Sequence, residues 1–208
     1  MYKILLMGNP NVGKSVVFSR LTGANVIVSN YPGTTVDYTK GYMKIRGEEA
    51  EVIDVPGTFS LEPRDLAEEI ALKMLREEKP DVVIDVIDAT KLERGLYLAF
   101  EIMEKFNYPL IIDLNMWDIA ASKGIEIELK KLREILDIPV IPTVAISGEG
   151  IRELADMEKI KKAILKQERK PMPEHLREIL KRIEEGNHKN VSKKEKDFIN
   201  LTGTTSGI

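Results

Sequence analysis

The segment Gly8-Asn9-Pro10-Asn11-Val12-Gly13-Lys14-Ser15 decides the fold, because it matches the pattern G-x-x-x-x-G-K-S in full. Its glycines let the backbone curl so that successive N–H groups face phosphate oxygens, and a helix beginning at its end adds positive potential. In such a loop Lys14 reaches the β- and γ-phosphates, and the Ser15 hydroxyl binds Mg²⁺. An accidental glycine-rich turn is the alternative. Because a strand pattern precedes the segment and a helical pattern follows it, we predict that it binds nucleotide as far as Val16.

Short apolar runs alternate with stretches of helical apolar spacing along most of the chain. The predicted strands are 4–7, 38–45, 51–53, 82–87, 110–114 and 140–144. The predicted helices are 15–21, 66–76, 92–106 and 127–136. This order predicts an α/β fold with a mostly parallel six-stranded sheet and helices on both faces. The second and third strands are predicted to form a hairpin at one edge.

The character of the sequence changes after Gly150, where charged amphipathic segments replace the alternation. Helices are predicted over 151–169, 174–185 and 193–201, and the polar residues 202–208 are predicted to be disordered. We therefore predict a nucleotide-binding domain of residues 1–168, followed by a short helical region of residues 169–208.

The composition excludes several classes of protein. Lys and Arg total 31 and Asp and Glu total 34, so the formal net charge is −3, which argues against a nucleic-acid partner. The absence of cysteine excludes disulfides, thiolate zinc sites and iron–sulfur clusters. His175 and His188 stand alone in charged sequence and are predicted to be solvated rather than metal ligands, and Glu68 is predicted to lie in a solvated helix start. No run approaches the ~18 consecutive apolar residues of a membrane-spanning helix.

The segment Asn115-Met116-Trp117-Asp118 follows a predicted strand, at the end where open α/β sheets bind ligands. The Asp118 carboxylate can accept two parallel hydrogen bonds from the N1–H and N2–H₂ edge of guanine, an edge that adenine lacks. Asn115 would contact the base and brace the loop, and the stem of Met116 would cover the ring. An ordinary Asn/Asp turn is the alternative. Together with the phosphate-binding segment, the pattern favours guanine recognition.

Two other segments carry residues suited to Mg²⁺ and the γ-phosphate. Asp54-Val55-Pro56-Gly57 ends a predicted strand, so Asp54 would hold Mg²⁺ through water and the Gly57 N–H would meet the γ-phosphate. In the segment Asn30–Thr35, Thr35 is the candidate that closes on Mg²⁺ when triphosphate is bound, with Thr34 beside it. Either segment could be an ordinary turn. Their order and spacing relative to the other segments favour the functional interpretation.

The segment Val144-Ala145-Ile146 follows the last predicted strand and completes the predicted base site. Ala145 is small enough for its backbone N–H to contact guanine O6. Val144 has no hydroxyl, so at that position the segment can donate to the base from its backbone but not from a side chain.

With all five segments placed, the chain resembles the G domains of prokaryotic GTPases, with Met116 in the lysine position of the motif NKxD. It is most similar to the cytosolic G domain of the ferrous-iron transport protein B family. Residues 30–37, NYPGTTVD, resemble that family's NWPGVTVE, and residues 88–98, DATKLERGLYL, resemble its DATxLERNLYL. The resemblance covers about residues 1–165. The chain departs from the family's pattern at Val16, Ser19, Tyr31, Gly95 and Val144.

The resemblance implies a GTPase domain joined through a helical spacer to a membrane transporter for Fe²⁺. It implies GTP and GDP as ligands, Mg²⁺ as a cofactor and a place at the cytoplasmic face of the cell membrane. Residues 169–208 would be part of the spacer, and the iron pathway would lie in another part of a longer polypeptide. The sequence leaves the oligomeric state open, with a homo-oligomer as one option.

Phosphoryl transfer needs a water in line with the γ-phosphate and cover for the developing charge. Many GTPases place glutamine directly after DxxG, where this chain has Thr58. We therefore expect slow turnover, with backbone near Thr34 and Thr35 placing the water.

Asn11 matches a position that helps to hold K⁺ in potassium-activated relatives, and a turn-stabilising asparagine is the alternative. Lys14 and Gly57 complete the predicted catalytic set.

Two other functions stay open from the sequence. A ribosome-assembly or tRNA-modifying GTPase usually carries a second G domain or a basic RNA-binding module, and neither is apparent here. A nucleotide-gated module would bind GTP, change shape and turn it over negligibly. Turnover measured against nucleotide affinity distinguishes this module from a working hydrolase.

Overall fold

The computed structural model describes residues 1–23, 26–45, 47–167 and 174–184. The strands are β1 (Tyr2–Gly8), β2 (Val26–Asn30), β3 (Asp37–Ile45), β4 (Glu48–Asp54), β5 (Val82–Asp88), β6 (Leu110–Asn115) and β7 (Val140–Pro142). The helices are α1 (Lys14–Thr22), α2 (Leu66–Glu77), α3 (Leu92–Lys105), α4 (Trp117–Ser122), α5 (Leu129–Leu136), α6 (Ile151–Leu154), α7 (Met157–Gln167) and α8 (Glu174–Glu184). A short 3₁₀ helix, Ala89–Lys91, precedes α3.

The seven strands form one sheet in the order β2-β3-β4-β1-β5-β6-β7. Strand β1 pairs in parallel with both β4 and β5, and the parallel arrangement continues through β6 to β7. Strands β2, β3 and β4 pair antiparallel and form the hairpin edge. The carboxyl ends of β1, β4, β5 and β6 therefore meet at one edge, where parallel sheets place their ligand sites.

The predicted α/β fold and mostly parallel sheet are confirmed, but the predicted number of six strands is wrong by one. The missed strand is β2, which lies at the edge of the sheet and leaves most of its side chains exposed; Val28 is 66% exposed. Its β-branched run Val26-Ile27-Val28 is a strand signal that the prediction overlooked, because the run is short and does not alternate with polar residues.

Helices cover both faces of the sheet, as predicted. Helices α2, α3, α5 and α8 contribute to the apolar cluster on one face, and α1, α6 and α7 to the cluster on the other. Both clusters are built mostly from aliphatic side chains of the strands and of the helices that cover them, with Phe100 of α3 on one face and Phe18 of α1 on the other. The two packed layers fix the sheet, and with it the edge that carries the site.

The predicted helix 151–169 is wrong, because the structure has two helices there, α6 and α7. Leu154 in α6 and Ile160 in α7 are both fully buried in the same apolar cluster. Six residues along a continuous helix rotate by about 240°, so an unbroken helix would turn one of these side chains away from the sheet. The break at Ala155 and Asp156 lets both face the core.

The C-terminal helix α8 packs against the domain and accounts for His175. Leu176 is fully buried, and Ile179 is nearly so. His175 Nε2 lies at hydrogen-bond distance, 2.9 Å, from the carbonyl oxygen of Ile135 in α5. The histidine that was predicted to be solvated therefore contacts the domain. The predicted helix 193–201, the tail 202–208 and His188 lie outside the described residues.

None of the helices in the described part of the chain combines the length and apolar character that crossing a lipid bilayer requires.

Candidate nucleotide-binding site

The predicted phosphate-binding segment forms the connection between β1 and α1. Gly8 has φ 150° and Gly13 has φ 86°, and a Cβ atom would lie 2.5 Å from the Val86 carbonyl oxygen at Gly8 and 2.4 Å from Asn115 Nδ2 at Gly13. Both positions therefore require glycine, for conformation and for space. The loop is held close to the ends of β5 and β6.

The N-terminus of α1 is suited to an anion. The helix begins after Gly13 with no side-chain cap and with no acidic residue in its first turn. The first N–H groups of a helix carry partial positive charge, and Lys14 stands directly beside them. A phosphate group would satisfy these donors.

Lys14, Ser15 and Asp54 meet where this helix faces the end of β4. The Lys14 ammonium contacts the Asp54 carboxylate and the carbonyl oxygen of Val55. Ser15 Oγ lies 3.4 Å from Asp54 Oδ2. A hydroxyl and a carboxylate are hard oxygen ligands of the kind that Mg²⁺ prefers, so the residues present fit that ion.

Asn115 joins three of the predicted segments. Its Nδ2 donates to the carbonyl oxygen of Val12 at 2.9 Å, which ties β6 to the phosphate loop. Its Oδ1 accepts from the Ala145 N–H at 3.0 Å, and the Thr143 hydroxyl, whose hydrogen is donated to Asp113, lies 3.2 Å from it. The side chain is buried, so these hydrogen bonds hold the two loops in fixed relation.

Asp118 lies in the first turn of α4 with its side chain exposed, and Met116 precedes this helix in a left-handed conformation with φ 59°. The Trp117 N–H donates to the Thr143 carbonyl oxygen at 3.2 Å. This contact anchors the start of α4 while the Asp118 carboxylate stays accessible to a base.

The Ala145 amide is placed differently from the expectation. It donates to Asn115, so the predicted donor to guanine O6 is bonded within the protein. Ala145 is only 2% exposed, whereas Ile146 beside it is 80% exposed. Val144 is bonded through its backbone to Glu149 and to Gly148. The segment is therefore a tight turn that borders the base site.

Gly57 and Thr58 lie against the phosphate loop. The Thr58 N–H donates to the Gly8 carbonyl oxygen at 3.0 Å, and a Cβ atom at Gly57 would lie 3.1 Å from Pro10. The structure thus brings the Asp54–Gly57 segment to the predicted place.

The structure does not bring Thr34 and Thr35 to the place where Lys14, Ser15 and Asp54 meet. The Thr34 hydroxyl donates to the Tyr31 carbonyl oxygen at 2.9 Å and accepts from the Val36 N–H at 3.2 Å, so it is engaged in its own turn. Thr35 is exposed, and among the described residues no hydrogen bond joins it to Ser15 or Asp54. The predicted closing of Thr35 on a metal requires this turn to move.

Two buried glutamates, neither of them a predicted site residue, hold the loop after Gly57. Glu68 accepts from the N–H groups of Phe59 at 3.2 Å and Arg64 at 2.8 Å, and Glu101 accepts from the Leu61 N–H at 2.7 Å. The prediction that Glu68 is solvated is wrong, because it is 7% exposed. For Glu101 a signal existed, since a carboxylate interrupts the apolar face of its helix.

Two buried aspartates in the neighbouring strands β5 and β6 were also absent from the predicted site. Both oxygens of Asp85 and one oxygen of Asp113 have no hydrogen-bond partner among the described residues. Burial raises the pKa of the Asp85 carboxyl well above its usual range, and the nearby Asp113 raises it further. Burial likewise raises the pKa of Asp113 to about 7, although the hydrogen bond from Thr143 opposes the shift. Both acids are thus held towards their neutral form.

The fold and this edge together define a P-loop GTPase domain. A phosphate loop, a carboxylate at the end of a neighbouring strand and an Asn/Asp segment at the end of another converge in one α/β sheet.

Comparisons with known proteins agree with this class of domain. The family model described as ferrous iron transport protein B matches residues 2–158. The Fe(2+) transport protein A/Fe(2+) transporter FeoB fusion protein of Porphyromonas gingivalis is 41% identical over 155 residues, which are 74% of this chain and 18% of that protein. The chain belongs to the ferrous iron transport protein B family and corresponds to its N-terminal G domain. It spans about a fifth of the length of the curated relatives it matches.

Solved structures show the same relationship. The G domain of the T. maritima FeoB iron transporter is 38% identical, with a TM-score of 0.72 over 78% of this chain and 98% of that one. A mutant of S. thermophilus NFeoB bound to GDP is 36% identical, with a TM-score of 0.70 over 78% of this chain and 60% of that one.

Proposed function

We propose that this domain binds GTP with Mg²⁺, hydrolyses it slowly to GDP and phosphate, and so regulates Fe²⁺ uptake by a membrane portion of a longer polypeptide. The observation that carries the proposal is the hydrogen bonding of Asn115, which connects the phosphate loop to the base-side turn at Ala145. The coupling of the phosphate end to the predicted base end in this way supports the binding of a whole nucleotide, and the exposed Asp118 carboxylate supports guanine as its base.

We assign each part of the bound GTP and Mg²⁺ to residues of the site. The backbone of 8–16 and Lys14 hold the phosphates, and Ser15 and Asp54 hold Mg²⁺, with Thr35 joining them once its turn has moved. Asp118 accepts from the base, Met116 covers it, and the backbone of 144–146 borders it. Bound Mg²⁺ would neutralise charge on the β- and γ-phosphates.

Slow hydrolysis is supported by the position of Thr58. Its side chain is 1% exposed, and its hydroxyl donates to the Ser60 carbonyl oxygen at 2.7 Å. A side chain turned into its own loop in this way does not orient a water at the γ-phosphate. We propose that backbone near Thr34 and Thr35 places the water instead, which is compatible with a modest rate.

The place of the domain in a transporter rests on its relatives. We propose that residues 1–168 form the nucleotide-binding unit at the cytoplasmic face of the membrane and that 169–208 begin a helical spacer. The packing of α8 against α3, including the Arg177–Glu104 ion pair at 3.8 Å, supports direct contact between the two parts. A homo-oligomer stays a prediction.

Asp118→Asn tests the base assignment. An amide can donate where the carboxylate only accepts, so we expect GTP affinity to fall about 10- to 100-fold while XTP affinity rises. Binding of GTP, XTP, GDP and ATP is measured by titration calorimetry. The control is Glu126→Gln, which removes an exposed carboxylate after α4 and should change none of the affinities. Unchanged base preference in Asp118→Asn would contradict guanine recognition by this residue.

Asn11→Gly tests the proposed K⁺ site. Asn11 is exposed in the phosphate loop with φ 65°, a conformation that asparagine tolerates and glycine adopts freely. The substitution therefore removes the amide ligand without straining the loop. We expect the wild type to hydrolyse GTP several-fold faster in KCl than in NaCl, and Asn11→Gly to show one rate in both salts. Equal wild-type rates, or a K⁺ effect that survives the substitution, would refute the site.

A further inference from the structure

The Arg20 side chain on α1 binds the turn that borders the predicted base site. Its Nε donates to the Ala145 carbonyl oxygen at 3.0 Å, and its Nη2 contacts the Ile146 carbonyl oxygen. The two acceptors belong to consecutive residues, so the planar guanidinium spans one peptide unit with two parallel donors. Lysine, with a single point charge, cannot reproduce that geometry.

The same turn is also held from its other side. The Ala145 N–H donates to Asn115 Oδ1, while its carbonyl oxygen accepts from Arg20. One peptide segment is therefore fixed between a buried asparagine and an arginine more than a hundred residues away in the sequence. A Cβ atom built on Gly148 would lie 3.7 Å from Arg20 Nη1, so the turn wraps around the guanidinium.

The helix segment that carries Arg20 is packed against the sheet. Phe18 and Leu21, its neighbours in α1, are buried against the sheet, and the Thr22 hydroxyl bonds to the Phe18 carbonyl oxygen at 2.9 Å. Helix α1 also begins at the phosphate loop. Arg20 thus links the helix that would carry the phosphates to the turn that would border the base.

We propose that Arg20 is a positioning residue that keeps the turn 144–147 closed over guanine and thereby slows the release of GDP. The proposal rests on the proposed function. It assigns Arg20 no contact with the nucleotide, because both of its acceptors are backbone carbonyls of the turn. The substitution of Arg20 should act on dissociation, since opening of the turn is the step that the guanidinium resists.

An alternative explanation is that Arg20 acts only through its positive charge at the C-terminal end of a helix. That explanation predicts a different result for GDP release. Arg20 lies in the last turn of α1, where any cation interacts favourably with the helix dipole. Arg76 likewise lies in the last turn of α2, with its side chain exposed, which makes Arg76→Ala a matched control. A dipole effect would alter thermal stability in both variants and GDP release in neither.

The experiment measures dissociation of fluorescent GDP by stopped flow for the wild type, Arg20→Ala, Arg20→Lys, Arg20→Gln and Arg76→Ala. We expect release to be about tenfold faster in Arg20→Ala and nearly as fast in Arg20→Lys. Arg20→Gln retains one donor and should be intermediate, and Arg76→Ala should match the wild type. The association rate should change less than twofold in every variant.

The outcomes separate this proposal from the proposed function. A wild type that binds no guanine nucleotide refutes the proposed function. A wild type that binds GDP, with release from Arg20→Ala or Arg20→Lys within twofold of its own, refutes the role of Arg20 alone. Thermal unfolding of each nucleotide-free variant shows which are folded, and Arg20→Lys decides the question if Arg20→Ala is not.

Discussion

A Lys14→Ala variant is expected to hydrolyse GTP at least 100-fold more slowly than the wild type, with weaker GTP binding. Lys14 is the first residue of α1, whose N-terminus already offers partial positive charge to a phosphate. Removing one charged donor from a site where negative charge develops costs about 10²–10³ in rate. Hydrolysis is followed by phosphate release under single-turnover conditions with saturating Mg²⁺.

The contacts of Lys14 require a control for stability. Its ammonium pairs with Asp54, whose side chain is only 11% exposed, so truncation leaves a carboxylate with little solvent. We expect a loss of about 1–3 kcal/mol in the free energy of unfolding from this cause. Lys14→Arg retains the charge beside Asp54 and should recover most of the stability but little of the activity, because its broader head does not fit the loop.

A surface lysine provides the comparison for activity. Lys44 is 69% exposed and pairs with Glu49, so Lys44→Ala should leave hydrolysis unchanged. A folded Lys14→Ala variant that hydrolyses GTP within tenfold of the wild-type rate would contradict the assigned role of Lys14.

The second large effect concerns stability as a function of pH. Burial raises the pKa of Asp113 to about 7 from a usual value of 3.8, so the folded protein binds a proton that the unfolded chain has released. The free energy of unfolding should therefore fall as pH rises from about 4 to about 7 and then level off. A shift of this size corresponds to about 4 kcal/mol. Asp85, whose pKa is also raised, adds to the same loss.

Asp113→Asn should reduce this pH dependence, because the amide stays neutral. Its Oδ1 can still accept from the Thr143 hydroxyl, which donates to Asp113 at 2.5 Å. Urea unfolding at several pH values between 4 and 8 measures the effect. The double variant with Asp85→Asn should be nearly flat with respect to these two groups. Glu69→Gln, which removes an exposed carboxylate, should follow the wild-type curve.

A wild-type free energy of unfolding that rises between pH 4 and pH 7 would show that other groups dominate the titration. An Asp113→Asn curve parallel to the wild-type curve would show that Asp113 is ionised in the folded protein. The second result would contradict a neutral buried acid beside the base site. After the first result, the difference between the wild-type and Asp113→Asn curves at each pH decides the protonation state of Asp113.

Most of the fold was predictable because strands in a parallel sheet are buried on both faces. Strand β5 has every side chain buried, and a nearly continuous aliphatic run such as Val82–Ile87 is typical of the interior of such a sheet. The edge strand β2 carries only the short β-branched run Val26-Ile27-Val28, and the break between α6 and α7 depends on which side chains the sheet can accept. The buried strands were therefore easier to predict from the sequence than the exposed edge strand.

The glycines and polar residues of the phosphate loop were also predictable from the sequence. Gly8, Gly13, Lys14 and Ser15 form a loop whose function depends on local backbone geometry, so the order of residues along the chain reveals it. The sequence by itself determined the phosphate loop, the nucleotide class and the family.

Only the tertiary structure decided what supports that site. Arg20 and Ala145 are 125 residues apart, and Leu61 and Glu101 are 40 apart, so no local pattern connects them. The same holds for Asp113, whose pKa depends on burial and on its neighbours across strands. These contacts arise when the sheet brings loop ends together, because the interaction energies depend on distances in space and not on positions along the chain.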